Sequence, residues 1–150
     1  MQILSYKLDA FVPFENDSIE SFLVLCEDVI SKMLSDEKTI FKLKSAIHEL
    51  LINSLEHGYK KSGGKVSFCI KKSEDTITLE IADEGSGFNP SLLNYQHIDT
   101  DLNSINRRGW GLMIIKSLSD TMKIAQNKPK GTKITVSVSL NDLANSVLYK

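Results

Sequence analysis

The hydrophobic period of the chain changes twice, and each change marks a change of predicted secondary structure. Residues 2–9 alternate as in a strand, and two segments with apolar residues at helical spacing follow. The first segment is predicted to begin at an Asn16-Asp17 cap with Glu20 in capping-box position, and the second at a Ser35-Asp36 cap. The apolar positions are Ile19, Phe22, Leu23, Cys26, Val29, Ile30 and Met33 in the first helix, and Ile40, Leu43, Ile47, Leu50, Leu51 and Leu55 in the second, which Gly58 ends.

Period two returns after Gly63-Gly64 and predicts a β-hairpin. One face of its two strands carries Val66, Phe68 and Ile70, then Ile77, Leu79 and Ile81, with a turn at Ser73-Glu74-Asp75 between them. Residues 88–108 lose this periodicity and are rich in Asn, Asp, Ser and Pro. An irregular stretch of that length in a small domain is typical of a lid or a binding loop.

The remaining residues predict a helix over 109–119, a short strand around 122–124, a turn over 128–131 and a strand over 132–140. The last ten residues are predicted to form a short helix. We find no repeat, low-complexity tract or linker, so residues 1–150 are interpreted as one domain. The fold class is α+β, a two-layer sandwich with helices packed on one face of a mixed or antiparallel sheet.

Composition narrows the class of protein. Apolar residues are 41% and charged residues 25% of the chain, as in a soluble globular protein. Eighteen basic and nineteen acidic residues give a net charge of −1, which does not favour direct binding of nucleic acid. Cys26 and Cys69 fall in apolar patterns and are interpreted as reduced core thiols. Without a signal peptide or membrane span in the pattern, we expect a cytoplasmic protein with no membrane partner.

A polar stripe on the second helix is the first candidate for chemistry. Glu49, Asn53 and His57 recur every four residues, so they share one helix face. Magnesium prefers oxygen ligands and is often held by one or two protein groups together with substrate phosphates. Asn53 is therefore a candidate metal ligand, and Glu49 a candidate base for the attacking hydroxyl or water. A solvated polar helix face is the alternative explanation of the same pattern.

Two further clusters lie at strand ends. Asp83 closes the second hairpin strand, and Gly85 and Gly87 follow it. A carboxylate beside glycines can accept a hydrogen bond from an exocyclic amine such as that of adenine, although Asp-x-Gly turns are also common. Gly131-Thr132 opens the last long strand, where the Thr132 hydroxyl could reach the same base.

The fourth cluster precedes the helix predicted over 109–119. Gly109-Trp110-Gly111 leads into Leu112, and glycines at a helix start expose N–H groups that favour an anion. Arg107 and Arg108 add charge that can engage phosphate oxygens. The alternative to an anion-binding helix start is a flexible loop that enters a core helix. Trp110 is expected to pack on a neighbouring residue. No complete Walker A or Gly-x-Gly-x-x-Gly motif occurs in the chain.

Together these clusters make the chain resemble the GHKL superfamily of histidine-kinase-like ATPases, and within it the anti-sigma factor serine kinases. The resemblance covers nearly the whole chain. It rests on Glu49-x3-Asn53-Ser54-x2-His57-Gly58-Tyr59, Asp83-x-Gly85-x-Gly87, Arg107-x-Gly109-x-Gly111-Leu112 and Gly131-Thr132. Ser54 stands where relatives often have alanine.

The resemblance implies roles for these residues in a site for ATP and Mg²⁺. Glu49 would be the general base, Asn53 the magnesium ligand and Asp83 the acceptor for the adenine amine. The site would also include His57 and Thr132, and Gly85, Gly87, Gly109 and Gly111 would shape the pocket and lid. Arg107 would sit near the γ-phosphate, with Arg108 as a competing candidate.

The resemblance further implies a protein-serine/threonine kinase that transfers the γ-phosphate of Mg-ATP to a serine of an antagonist, STAS-type protein. Such a protein would also sequester a sigma factor, often as a homodimer. The alternative is a non-catalytic binding module in a partner-switching pathway, whose lid responds to ATP. Glu49 favours the kinase, because a pure binder has little need for a carboxylate beside the magnesium ligand.

Overall fold

A computed structural model of the chain describes residues 3–87 and 120–140. The elements in chain order are β1 (Leu4–Val12), α1 (Asn16–Met33), α2 (Glu37–Asn53), a π turn (Ser54–Gly58), β2 (Gly64–Lys72), β3 (Thr76–Asp83), β4 (Thr121–Gln126) and β5 (Thr132–Ser139). The lid predicted over 88–108, the helix over 109–119 and the C-terminal helix lie outside the described residues.

The described strands form one antiparallel sheet in the order β1-β2-β3-β5-β4. Helices α1 and α2 pack against one face of it, which confirms the predicted α+β sandwich. The hairpin of β2 and β3 is also confirmed, and its apolar row is buried beneath the helices. That row continues into β5, and the sheet contributes Val66, Phe68, Ile70, Ile77, Leu79, Ile81, Ile134, Val136 and Val138 to the core. No helix within 3–87 and 120–140 combines the length and apolarity needed to span a membrane.

The two helix starts differ in how well sequence predicted them. Asp36 caps α2 as predicted, because its carboxylate accepts from the Thr39 N–H and hydroxyl at 2.8 Å each. The cap predicted at Asn16-Asp17 is wrong, since the N-cap of α1 is Glu15. The Glu15 carbonyl accepts the first helical bond from the Ile19 N–H at 3.0 Å, so Asp17 already lies inside the helix.

The second face of the sheet is open and polar. Alternation places Ser67, Cys69 and Lys71 of β2 on it, and Glu80 of β3 lies there within 3.9 Å of Lys133. The prediction that both cysteines are core thiols is therefore wrong for Cys69, which is half-buried, and correct for Cys26. Period two alone does not tell which face of a strand the helices cover.

The covered face ends in polar residues at one edge. The buried row Ile77, Leu79 and Ile81 of β3 continues into Asp83, while the buried row of β5 begins at Thr132. Antiparallel pairing of Ala82 with Lys133 brings Asp83 and Thr132 side by side. The register of the sheet thus places two buried polar residues together at the end of the core.

Candidate functional site

Buried polar residues are few in the described part of the chain, and they concentrate in the predicted clusters. They are Thr39, Asn53, Ser54, Asp83 and Thr132. Thr39 is explained by its hydrogen bonds to Asp36 at the start of α2. The other four all belong to the motifs that sequence singled out. Because burying polar groups is costly, this concentration makes the region the candidate site.

Asp83 is the centre of the arrangement. Its side chain is buried, and Oδ1 accepts from the Gly85 N–H at 3.0 Å and from the Thr132 N–H at 3.2 Å. Oδ2 makes no hydrogen bond with the residues of 3–87 or 120–140. A buried carboxylate held by two backbone donors keeps a fixed direction, so Oδ2 can accept from a ligand without first reorganising.

Glycines surround this carboxylate because the backbone approaches it too closely for a side chain. A Cβ on Gly131 would lie 1.9 Å from the Asp83 carbonyl oxygen, and φ there is +107°. A Cβ on Gly85 would lie 2.3 Å from the Gly58 carbonyl, and one on Gly58 would lie 3.1 Å from Asp83 Oδ2. The packing therefore requires glycine at both Gly85 and Gly131.

The π turn joins the first cluster to the second. The Tyr59 N–H donates to the Ser54 carbonyl at 3.0 Å, a bond that spans one residue more than the bonds of the preceding α-helix. The Gly58 carbonyl then accepts from the Ser86 N–H at 2.8 Å. Two clusters far apart in sequence thus share a direct backbone hydrogen bond.

The polar stripe of α2 is divided between interior and surface. Asn53 is the last residue of α2, and the residue is 4% exposed. Its Nδ2 is buried and has no hydrogen-bond partner among the described residues. Glu49 is half-buried one turn earlier, while the His57 side chain is exposed. The His57 carbonyl, rather than its imidazole, contacts the second cluster by accepting from the Ser86 hydroxyl at 3.4 Å.

Of the remaining predicted site residues, Gly87 and Thr132 lie in the described part of the chain. Gly87 has φ of +95°, and a Cβ there would meet no atom within 4 Å in the described part of the chain. Thr132 reaches Asp83 through its main chain. The residues of the fourth cluster lie outside the described residues; they are Arg107, Arg108, Gly109, Trp110, Gly111 and Leu112.

Sequence reasoning missed two side chains that hold the site. The Tyr59 hydroxyl accepts from the Glu84 N–H at 2.7 Å, and Asn127 Nδ2 donates to the Asp83 carbonyl at 2.8 Å. Tyr59 lies in the first cluster, but the sequence pattern gives its side chain no role. Asn127 belongs to none of the four clusters, and no sequence signal points to its contact.

The described residues fit a nucleotide bound with a metal. Asp83 offers a carboxylate oxygen to a base amine, and the glycines let the backbone pack closely around that carboxylate. Asn53 carries an amide oxygen of the kind that magnesium prefers, and its buried, unpartnered Nδ2 can donate to a ligand oxygen such as that of a phosphate. Glu49, half-buried, precedes it by one helical turn. A hard cation that keeps several waters and its phosphate ligands needs only such a small protein contribution.

Comparison with known proteins agrees with this description. The sequence profile described as "Histidine kinase-like ATPase domain" matches residues 12–138. An anti-sigma F factor of Clostridium acetobutylicum is 33% identical over 92 residues, which are 61% of this chain and 64% of that protein. The match thus spans slightly less than two thirds of that relative. An anti-sigma F factor of Clostridium botulinum is 25% identical over 132 residues, 87% of each chain.

Solved structures show the same fold at low sequence identity. The structure of the RsbU and RsbW domains of Rv1364c from Mycobacterium tuberculosis superposes with a TM-score of 0.59 and 17% identity, covering 89% of this chain and 32% of that one. The mycobacterial sensor histidine kinase MprB gives a TM-score of 0.52 and 16% identity, covering 91% of this chain and 97% of that one.

Proposed function

Because the chain belongs to the histidine kinase-like ATPase domain family, we propose that it is an ATP-dependent protein-serine kinase of the anti-sigma factor type. It would transfer the γ-phosphate of Mg-ATP to a serine of an antagonist, STAS-type protein and would sequester a sigma factor. The names of its relatives, anti-sigma F factors of which one is matched over 87% of its length, support this function.

The observation that carries the proposal is the buried carboxylate of Asp83 with Oδ1 held by two backbone donors. An amine on a purine ring donates, and the fixed Oδ2 is its acceptor. The ring would lie beside this carboxylate, next to the close backbone contact of Gly85 with Gly58. Asp83 therefore selects a ligand with a hydrogen-bond donor, as adenine has.

The end of α2 would hold the metal and activate the nucleophile. Asn53 would supply an amide oxygen to magnesium, whose chemistry is to neutralise charge on the phosphates. Glu49, one helical turn earlier, would accept the proton of the serine hydroxyl as it attacks. Phosphoryl transfer needs mostly correct positioning of the reactants and stabilisation of charge, and these groups would provide both.

The lid cluster completes the proposed site. Arg107 would approach the γ-phosphate, with Arg108 as the competing candidate, and Gly109 to Leu112 would present N–H groups at a helix start to the phosphates. Gly87 would act as the near end of this lid, because its φ of +95° suits a change of direction there and a Cβ would meet no atom of residues 3–87 or 120–140 within 4 Å.

The test is serine phosphorylation. Proteins retained by the immobilised chain from its native cell, with ADP and then with ATP, provide the candidate antagonist for a transfer assay with labelled ATP. Wild-type protein is expected to label a serine of the antagonist, and Glu49→Gln to bind ATP with unchanged affinity but lose transfer. The exposed Glu20→Gln is the matched control.

Each other outcome revises the proposal in a defined way. ATP binding without transfer by the wild-type protein would replace the kinase with the non-catalytic, ATP-responsive module. Equal transfer by wild type and Glu49→Gln would remove Glu49 as the base. The homodimer stays a prediction, for which light scattering of the purified protein should give twice the chain mass of 16.8 kDa.

A further inference from the structure

One peptide unit in the site is held at both of its polar atoms. The unit joins Asp83 to Glu84. Its carbonyl oxygen, on Asp83, accepts from Asn127 Nδ2 at 2.8 Å, and its N–H, on Glu84, donates to the Tyr59 hydroxyl at 2.7 Å. A peptide group is planar, so fixing both atoms fixes the rotation of the whole unit.

The Tyr59 hydroxyl holds the Glu84 N–H by taking the place of a main-chain hydrogen bond between β2 and β3. Val66 pairs with Asp83, so Lys65 and Glu84 would be the next antiparallel pair. The Tyr59 hydroxyl lies between them instead, donating to the Lys65 carbonyl at 2.5 Å while accepting from the Glu84 N–H. This bridge ends the β2–β3 ladder at Asp83 and leaves the following turn separate from β2.

The aromatic ring of Tyr59 is held as firmly as its hydroxyl. A Cβ on Gly64 would lie 2.3 Å from the ring, so the ring lies directly on the backbone at the start of β2. A tyrosine hydroxyl is protonated at neutral pH and can donate, and burial raises the pKa of Tyr59 further.

Asn127 holds the other end from across the sheet. Its own N–H donates to the Gly131 carbonyl at 3.0 Å, which closes the turn between β4 and β5. Gly131 packs on the same peptide unit, because a Cβ there would lie 1.9 Å from the Asp83 carbonyl oxygen and 2.7 Å from Glu84 Cα. The β4–β5 turn and the Asp83–Glu84 peptide therefore form one rigid contact.

We propose that Tyr59 and Asn127 are positioning residues that give the site its selectivity for a 6-aminopurine nucleotide. Neither needs to touch the ligand. By fixing the peptide that follows Asp83, they fix the direction of its Oδ2 and the place of the Gly85 N–H that holds Oδ1. The inference rests on the proposed function, in which Asp83 accepts from the adenine amine.

The test compares ATP with inosine triphosphate, which carries an oxygen in place of the 6-amino group. Wild-type protein is expected to prefer ATP, and both Tyr59→Phe and Asn127→Ala are expected to reduce the ratio of the two affinities about threefold to tenfold. Tyr6→Phe and Asn16→Ala, at exposed positions, should leave the ratio unchanged. Isothermal titration calorimetry measures both affinities.

A purely structural role predicts a different result, because loss of folded protein lowers binding of both nucleotides and leaves their ratio intact. Circular dichroism of each variant measures the folded fraction. Tyr59→Phe removes one oxygen and keeps the ring on Gly64, and Asn127→Ala gives a second, independent variant if the first does not fold. An unchanged ratio in a folded variant of either residue would overturn its positioning role.

The Asp83→Asn variant separates this inference from the proposed function. If Asp83→Asn keeps the wild-type preference for ATP, adenine recognition by Asp83 fails, and the inference fails with it. If Asp83→Asn abolishes the preference while Tyr59→Phe and Asn127→Ala retain it, only the inference fails. If all three reduce it, and Tyr59→Phe adds nothing in the Asp83→Asn background, the inference is supported.

Discussion

Gly131→Ala offers a sharp test of the packing around Asp83. The methyl group would lie 1.9 Å from the Asp83 carbonyl oxygen, and the residue would have to keep φ at +107°. Left-handed backbone costs an L-residue about 1–2 kcal/mol. Relieving the clash requires backbone movement, and overpacking of this kind costs about 1–3 kcal/mol more. We therefore expect the free energy of unfolding to fall by about 2–5 kcal/mol.

Gly87→Ala is the matched control, because it shares the unusual backbone without the clash. Gly87 has φ of +95°, and a Cβ there meets no atom within 4 Å in residues 3–87 and 120–140. Gly87→Ala should therefore lower the free energy of unfolding only by the cost of left-handed backbone, about 1–2 kcal/mol. Urea unfolding followed by circular dichroism measures both variants, and the slope of the transition shows whether they unfold alike.

Equal destabilisation of the two variants would refute the close approach of Gly131 to the Asp83–Glu84 peptide. Nucleotide affinity provides a second reading. The folded fraction of Gly131→Ala should bind ATP at least about tenfold more weakly, since the displaced carbonyl belongs to Asp83 itself. Wild-type affinity in this variant would show that the position of the peptide does not matter for binding.

Two further predictions concern residues away from the site. Burial raises the pKa of Cys26 to about 12, so a thiol reagent should label only Cys69 in the folded protein and both cysteines after denaturation; labelling of Cys26 in the folded state would contradict the packing of α1. Hydrogen bonds from Thr39 hold the pKa of Asp36 below its usual value, so this carboxylate stabilises the fold above its unfolded pKa and the effect is lost as pH falls through its folded pKa. Asp36→Ala should therefore lower the melting temperature at neutral pH, with a difference from wild type that closes in acid; a constant difference would contradict the cap.

Sequence predicted the elements whose signals are local. The alternation of Val66, Phe68 and Ile70 identified β2, and the cap at Asp36 was readable because its side chain bonds only three residues away. The error at Asp17 has the same origin, since Asp17 and Glu20 fit a capping box that Glu15 pre-empts by accepting the first helical bond. Neighbouring residues can both fit the pattern of a helix N-cap, and the sequence does not show which of them caps the helix.

The contacts that assemble the site depend on the sheet register. Thr132 meets Asp83 because Ala82 pairs with Lys133, and no sequence pattern specifies that pairing. The same holds for Asn127, which reaches the Asp83 carbonyl across 44 positions of sequence. Sequence motifs therefore predict Asp83, Gly85 and Thr132 as site residues. The contacts of Tyr59 and Asn127 with the Asp83–Glu84 peptide can be identified only from the fold.

The most direct test of a nucleotide site at Asp83 is the ATP affinity of Asp83→Asn, measured by calorimetry beside wild type and the exposed Asp9→Asn. An amide lacks the charge and can present a donor where the adenine amine needs an acceptor. A hydrogen bond to a charged group contributes about 1.5–3 kcal/mol, so we expect Asp83→Asn to lose about tenfold to a hundredfold in ATP affinity. Asp9→Asn should bind as wild type does. Equal ATP affinities for Asp83→Asn and wild type, in folded protein, would contradict the nucleotide site.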